Sequence, residues 1–268
     1  MAGDRNNIKS AKRALEILDL FERVRRPLRV SDAANLLSYP QSSTSFLMNT
    51  LRGLGYLSYD PEGRTFAPTL RVGLLGSWLE FGDLGPSQVF EMITELRNES
   101  GEGVIVSTRS GVYIEYIYVL DPPGRVMPVR FRAGSLRPIC RLAPGILLLA
   151  DCTDAEVAKV VRWVNASDAN PDREDPEEVL EMVRAARASR VAVVCGRMNK
   201  SWGSIAVKLP FNDRFDKPLV LSLAGPKERI MANASTYEAL MLGMVDKYSS
   251  YPGNGSHSEQ GVARGSEL

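Results

Sequence analysis

The stretch from Ser31 to Leu54, SDAANLLSYPQSSTSFLMNTLRGL, constrains this chain more than any other part of it. It reads as two short helices joined by a tight turn. Ser31 is expected as N-cap of the first, with Asp32 in the first turn and Ala33, Ala34, Leu36 and Leu37 buried. Ser38-Tyr39-Pro40 breaks that pattern and places Pro40 at the first turn of the second helix. There Leu47, Met48, Leu51 and Leu54 recur three and four apart as an apolar stripe. The opposite side carries Gln41, Ser42, Ser45, Phe46 and Asn49, donors and acceptors without bulk, as a helix lying in a major groove requires. An ordinary solvated helix pair fits the same residues, so this stretch alone leaves DNA binding open.

The flanks narrow the choice. Ile8 to about Arg25 is expected as an amphipathic helix with Ala11, Ala14, Leu15, Leu18 and Phe21 on one face and Lys9, Lys12, Arg13, Glu16 and Arg23 off it. Beyond the helix pair, Tyr56 to Tyr59 reads as a strand, Asp60-Pro61-Glu62-Gly63 as a turn and Arg64 to Phe66 as a returning strand. Three helices and a hairpin follow the order of a winged helix, with Arg64 at the wing tip in reach of a phosphate or the minor groove. The net charge of the chain is only +1, so affinity for nucleic acid must come from a local patch. The first thirty residues supply one, with eight Lys/Arg against four Asp/Glu.

Thr69 to Leu84, TLRVGLLGSWLEFGDL, sets Leu70, Leu74, Leu75, Trp78, Leu79 and Phe81 at helical spacings over a face broader than one small domain needs. A linker helix packing on its copy in another subunit is expected, with Gly73 and Gly76 permitting close approach; capping of the second domain is the alternative. Gly85-Pro86 marks a boundary. After it come a helix from Ser87 to Ser100, strands at 104–107, 112–120 and 126–132, and helices at 140–150, 154–165 and 177–189. Strands at 191–195, 204–209 and 219–223 and a closing helix at 227–248 complete it. Strands paired through short turns imply an antiparallel sheet flanked by helices, an α+β domain. Residues 252–268 are a polar tail.

Composition excludes several chemistries. The one histidine, His257, lies in the tail, which argues against His-based triads and metal centres. Cys140, Cys152 and Cys195 lack a C-x-x-C pair and suit free thiols in a reducing, cytoplasmic setting; no signal peptide, membrane span, P-loop or dinucleotide glycine pattern is found. Cys140 and Cys195 read as buried structural thiols rather than nucleophiles, and the acidic run from Asp168 to Glu178 as solvated surface. No cofactor is called for. Binding is better supported. Gly134 to Ala150, GSLRPICRLAPGILLLA, couples a turn to a helix start where backbone N–H groups could receive an anion. The loop from Cys195 to Ala206, CGRMNKSWGSIA, brings Arg197, Lys200 and Trp202 between two strands. Cations beside an aromatic ring and a helix terminus point to a carboxylate ligand.

With these segments in order, IKSAKRALEIL, YPQSSTSFLMNTL, LGYLSYD, LRVGLLG, GSLRPICRLAPGILLLA and LSLAGPKERI, the chain resembles the IclR family of transcriptional regulators from about Ile8 to Ile230. The resemblance implies an N-terminal winged helix-turn-helix (1–68), a linker and dimerisation helix (69–84), a GAF-like effector-binding domain with an antiparallel sheet flanked by helices (85–251) and a disordered tail (252–268). It further implies a dimer or dimer of dimers on near-palindromic double-stranded DNA, often repressing catabolic genes, and a small carboxylate effector. The DNA-binding set is then Lys9, Arg13, Gln41, Ser42, Ser43, Ser45, Phe46, Asn49, Arg52 and Arg64. The effector set is Met127, Cys140, Arg141, Leu142, Ala143, Cys195, Arg197, Trp202, Ser222 and Ala224.

Three departures from the family pattern stand out. Phe46 replaces a basic residue of the recognition helix and either touches a thymine methyl or packs against the protein. Arg197 stands where a glutamate is usual, which favours a more negative ligand, and Ser201 replaces a glycine of the same loop. Apart from these three, Ala224 stands where some members carry serine. Two other classes remain open at this point: a small-molecule enzyme with an appended winged helix, and a winged-helix protein interaction module.

Overall fold

The structure is a computed structural model describing residues 8–76, 85–127, 131–166, 173–213 and 215–249. The chain divides into two compact units, Met1–Leu79 and Glu80–Leu268.

In the first unit α1 (Lys9–Val24), α2 (Val30–Leu37) and α3 (Gln41–Gly53) precede a hairpin of β1 (Leu57–Asp60) and β2 (Thr65–Pro68) and a short α4 (Leu70–Leu74). Ile17, Leu20 and Phe21 of α1 meet Ala33 of α2, Met48 and Leu51 of α3, and Leu28, Leu57 and Phe66 in one core. The buried stripe of α1 is therefore turned from the expected one: Ala11 and Leu15 are exposed, and Ile17 and Leu20 take the interior. Both sets recur at helical spacing, and only the packing partner chooses between them. α2 begins one residue before the expected Ser31 cap. Arg29 is its N-cap, and the Asp32 carboxylate accepts the Arg29 N–H (3.3 Å). Leu36 and Leu54, expected inside, are exposed. α2 stops at Ser38, whose left-handed backbone (φ 56) lets Tyr39 donate its N–H to the Ala34 carbonyl (2.9 Å) and turns the chain into α3. Thr44, wholly buried in α3, donates its hydroxyl to the Pro40 carbonyl (3.1 Å), so no polar group is lost in that core. Of the expected linker helix the described residues contain Leu70–Leu74; Trp78, Leu79 and Phe81 lie outside them.

The second unit is built on a six-stranded antiparallel sheet in the order β5-β4-β3-β8-β7-β6, from β3 (Gly103–Ser110), β4 (Tyr113–Leu120), β5 (Leu136–Pro138), β6 (Val191–Cys195), β7 (Trp202–Asn212) and β8 (Pro218–Pro226). The period of two sorts the side chains cleanly. Val104 and Val106, Ile205 and Val207, and Leu221 and Leu223 face a core shared with α5 (Pro86–Ser100) and α10 (Ala234–Ser249). Ile105, Ala206, Val220 and Ala224 face the other core, under α6 (Ala143–Leu149), α7 (Asp154–Asn165) and α8 (Pro176–Ser189). A bulge at Val106/Ser107 shifts the pairing with β4.

Three expectations change here. No strand runs through Val126 and Met127; residues 128–130 lie outside the described ones, and the short strand of this region is Leu136–Pro138. The closing helix is two, α9 (Lys227–Ala232) and α10, parted at Asn233. The helix expected over 140–150 is a 3-10 turn at Ile139–Arg141 followed by α6. That step needs Gly145, because a Cβ there would stand 1.8 Å from the Ile139 carbonyl oxygen.

Candidate nucleic-acid interface and ligand pocket

α3 presents the side that its spacing suggested. Gln41, Ser42 and Asn49 are exposed, Ser43 and Ser45 half-buried, and the Phe46 side chain stands 74% exposed, so the ring does not pack into the core of its own unit. Asn49 is not poised: its amide donates to the Ser45 carbonyl (2.9 Å) and has to leave that bond to reach a base. Two of the four flanking cations are held on rings. Arg13 lies over Tyr39 (4.5 Å), whose hydroxyl donates to Glu16, and Arg52 lies over Tyr59 of the wing (5.1 Å). Lys9 is exposed on α1. Arg64 sits at the wing tip with a left-handed backbone (φ 53), after a turn in which Asp60 accepts the N–H groups of Glu62 (3.1 Å) and Gly63 (3.0 Å). Two cations join this set unanticipated: Arg29, which donates to the Gly63 carbonyl (3.3 Å) beside Arg64, and Arg71, which lies over Tyr56 (4.9 Å). Neither carries a sequence signal, since each reaches the wing only through the tertiary fold.

In the second unit a cleft opens on the α6 side of the sheet. Of the expected effector residues it brings together Arg141, Leu142, Arg197, Trp202, Ser222 and Ala224. Four others do not line it. Cys140 and Ala143 are wholly buried, Met127 packs against Gly103, and Cys195 packs against Gly203. The alternation along β6 and β7 explains Cys195: Val194 and Trp202 face the cleft, so their neighbours turn away. Residues that sequence reasoning missed complete the walls, chiefly Tyr116, Phe131, Arg137, Asn199 and Ser204. Tyr116 and Phe131 lie parallel, 4° between planes at 6.4 Å; Phe131 meets Trp202 at 4.9 Å; Arg137 lies over Tyr116 at 5.7 Å.

The anion-receiving helix start is a correction. The Ala143 N–H donates to the Ser204 hydroxyl (3.2 Å), Pro144 has no N–H, and Gly145 and Ile146 donate to the Leu142 carbonyl, so no donor is offered. The acidic run is another. Glu174 is not solvated surface but 5% exposed, and its two carboxylate oxygens accept from Arg141 Nε and Arg197 Nη2. Asn165 at the end of α7 fixes it there, donating its amide to the Glu174 carbonyl (2.9 Å) and accepting the Glu174 N–H (2.7 Å). Arg197 Nη1 pairs with Glu178, so the expected ligand cation already holds two carboxylates. Burial opposes its charge, yet the hydrogen bonds and charges of Glu174 and Glu178 outweigh that and raise its pKa. Its Nε is enclosed without an acceptor among the described residues. Lys200 is exposed on the loop. Burial, with the Glu174 charge adding to it, pushes the Cys140 thiol up to about 12, and burial also raises Cys195. Among the described residues no group of His, Cys, Asp and Glu could hold a metal ion, and no helix is long and apolar enough to cross a membrane.

Residues 10–61 match the IclR helix-turn-helix domain. The chain is similar, at 30% identity over 155 residues, to the HTH-type transcriptional regulator XynR of Escherichia coli, covering 56% of this chain and 59% of that one. A similar match, 30% over 156 residues, covers 58% of this chain and 55% of the regulator TsaQ1/TsaQ2 of Comamonas testosteroni. The chain thus spans less than two thirds of the length of the curated relatives it matches. Among solved structures, the effector domain of the regulator IclR from Acinetobacter sp. ADP1 superposes with a TM-score of 0.56 at 22% identity, over 62% of this chain and 96% of that one. An IclR family regulator from Brucella abortus superposes with a TM-score of 0.53 at 20% identity, over 93% and 94%. Pseudomonas aeruginosa HmgR gives 0.52 at 19%, over 93% and 100%. The first unit thus carries a match to the IclR helix-turn-helix domain, and the second has the fold of a solved effector domain of an IclR regulator.

Proposed function

We propose that the chain is a ligand-responsive transcriptional regulator that reads double-stranded DNA with α3 and senses a small carboxylate in the cleft of its second, GAF-like unit. The observation that carries this reading is the outward side of α3. Serines, Asn49 and a solvent-facing Phe46 ring leave the protein surface in a unit whose wing carries Arg64 and is joined by Arg29 at the start of α2. Such a surface specifies through base edges and methyl groups, while the wing and α1 cations hold phosphates without regard to sequence. The carboxylate reading rests on the guanidiniums of Arg137, Arg141 and Arg197, which line the cleft beside an aromatic wall.

Repression of catabolic genes and assembly as a homodimer or dimer of dimers complete the proposal. The exposed Leu70 of α4 supports assembly as an apolar side chain that a second copy would cover. Effector binding then shifts the equilibrium between subunit arrangements that set the two recognition helices at different separations. The test is a titration of Asn49→Ala and Arg64→Ala on a duplex from upstream of the gene and on its scrambled version, at several salt concentrations. Loss on the native duplex alone is expected for Asn49→Ala, and loss on both with a flatter salt slope for Arg64→Ala. Equal losses on both duplexes for Asn49→Ala would overturn the assignment of α3 as the reading element.

A further inference from the structure

Phe46 is the one large apolar side chain exposed along α3. Met48 and Leu51 of the same helix fill the core, while the Phe46 ring keeps 74% of its surface in solvent. Its neighbours on the helix surface do not cover it. Ser42 and Ser43, one turn before, are too short to reach past a ring. Asn49 and Thr50, one turn after, are drawn back onto the helix: the Asn49 amide donates to the Ser45 carbonyl, and the Thr50 hydroxyl donates to the carbonyl of Phe46 itself (2.9 Å). The surroundings are uncharged as well, since no Asp, Glu, Lys or Arg occurs between Asp32 and Arg52. No carboxylate on α3 therefore repels a phosphate backbone, and Arg52 follows at its last turn.

We infer that Phe46 reads the C5 methyl group of a pyrimidine in the major groove, so that its contact accepts thymine and 5-methylcytosine alike and makes α3 responsive to cytosine methylation. The inference rests on the reading of DNA by α3 and names what one position of that helix recognises. A phenyl ring has no donor or acceptor, so it gains nothing from the polar atoms that distinguish bases in the groove. The C5 methyl of thymine is the apolar group on that edge, and 5-methylcytosine places the same group at the same atom. The two bases differ beside it, in a carbonyl against an amino group, and a ring that forms no hydrogen bond does not separate them. Uracil and unmodified cytosine lack the methyl and leave the ring nothing apolar to cover. Specificity at this position therefore follows the methyl group, whereas a hydrogen-bonding side chain would follow the base.

The experiment begins with selection of duplexes from a random pool by the full chain, which supplies the probe. Each thymine of the selected duplex is replaced in turn by uracil, and at a position that responds, by cytosine and by 5-methylcytosine opposite guanine. Affinities are read by fluorescence anisotropy for the unaltered chain, Phe46→Ala and Asn49→Ala. The unaltered chain should prefer thymine to uracil and 5-methylcytosine to cytosine by about fourfold each, the ratio that burial of one methyl-sized group supports. Both ratios should fall to about one in Phe46→Ala, while Asn49→Ala weakens all four duplexes and keeps both ratios. Loss of an exposed ring leaves the core untouched, and thermal melts check that each variant is folded. A selected duplex in which no thymine responds to uracil overturns the inference. Methyl ratios that survive in Phe46→Ala also overturn it, because another residue then meets the methyl. In both cases the reading of DNA by α3 stands if Asn49→Ala still weakens the selected duplex. A pool from which no sequence is enriched removes both.

Discussion

The outward side of α3 and the floor of the cleft are both polar, yet they are built in opposite ways. On α3 the polar groups are short and exposed or half-buried, and Asn49 is held within its own helix by the bond to Ser45. In the cleft they are long, charged and buried, and each is fixed by a partner distant in the chain. A surface that must read another molecule keeps its groups available; a pocket that must tell one charge from another first neutralises most of its own. The cost of altering a residue should therefore fall on stability in the second case and on binding in the first.

Removing the Glu174 carboxylate is the severest way to break that contrast. Glu174→Ala takes from Arg141 and Arg197 the buried carboxylate they share and should cost about 3–5 kcal/mol in the denaturant unfolding of the second unit. Gly145→Ala comes next. The collision with the Ile139 carbonyl is between backbone atoms that cannot swing aside, so a loss of about 3 kcal/mol is expected in the same measurement. Asn49→Ala should leave the unfolding midpoint within about 0.5 kcal/mol of the original and weaken specific DNA binding by about 1–3 kcal/mol. The lower end is expected, because the bond to Ser45 has to be given up before a base is met. Arg64→Ala should reduce the salt slope of binding by about 1 and act on specific and scrambled duplexes alike.

The thiols give the smallest effect. With Cys140 held near 12, its thiolate is scarce at pH 8, and Cys195 is also raised. In the sign that matters, burial favours the protonated thiol, so reactivity in the folded chain rises only as pH approaches the raised pKa. Iodoacetamide at pH 8 should modify Cys152 first and leave Cys140 intact until denaturant is added, as read by mass spectrometry. Early loss of Cys140 would show that the core around it opens.

The same contrast decides what could be read from the amino-acid order. The α3 side was legible because its signals are local: a proline at the helix start, apolar residues three and four apart, and small polar residues between them. The strand alternation that sorts Ser222 and Ala224 to the cleft was legible for the same reason. Glu174 was not. It sits in an acidic run that looks like solvated surface, and its partners lie 33 and 23 residues away, a pairing that no local pattern encodes. The face of α1 failed differently, since two apolar sets have the same period and only the position of Met48 and Phe66 in the folded core selects Ile17 and Leu20. The closed start of α6 belongs with Glu174, because it is the Ser204 hydroxyl from β7, 61 residues on, that takes the Ala143 N–H.

That the two regions serve one function is tested most directly by measuring both at once. Fluorescence anisotropy of a labelled duplex from upstream of the gene, titrated with the chain in the absence and presence of saturating benzoate, reads the coupling between cleft and α3. The account predicts an affinity for DNA that changes by at least about fivefold when the cleft is filled. The same affinity with and without an acid that calorimetry shows to be bound would contradict it.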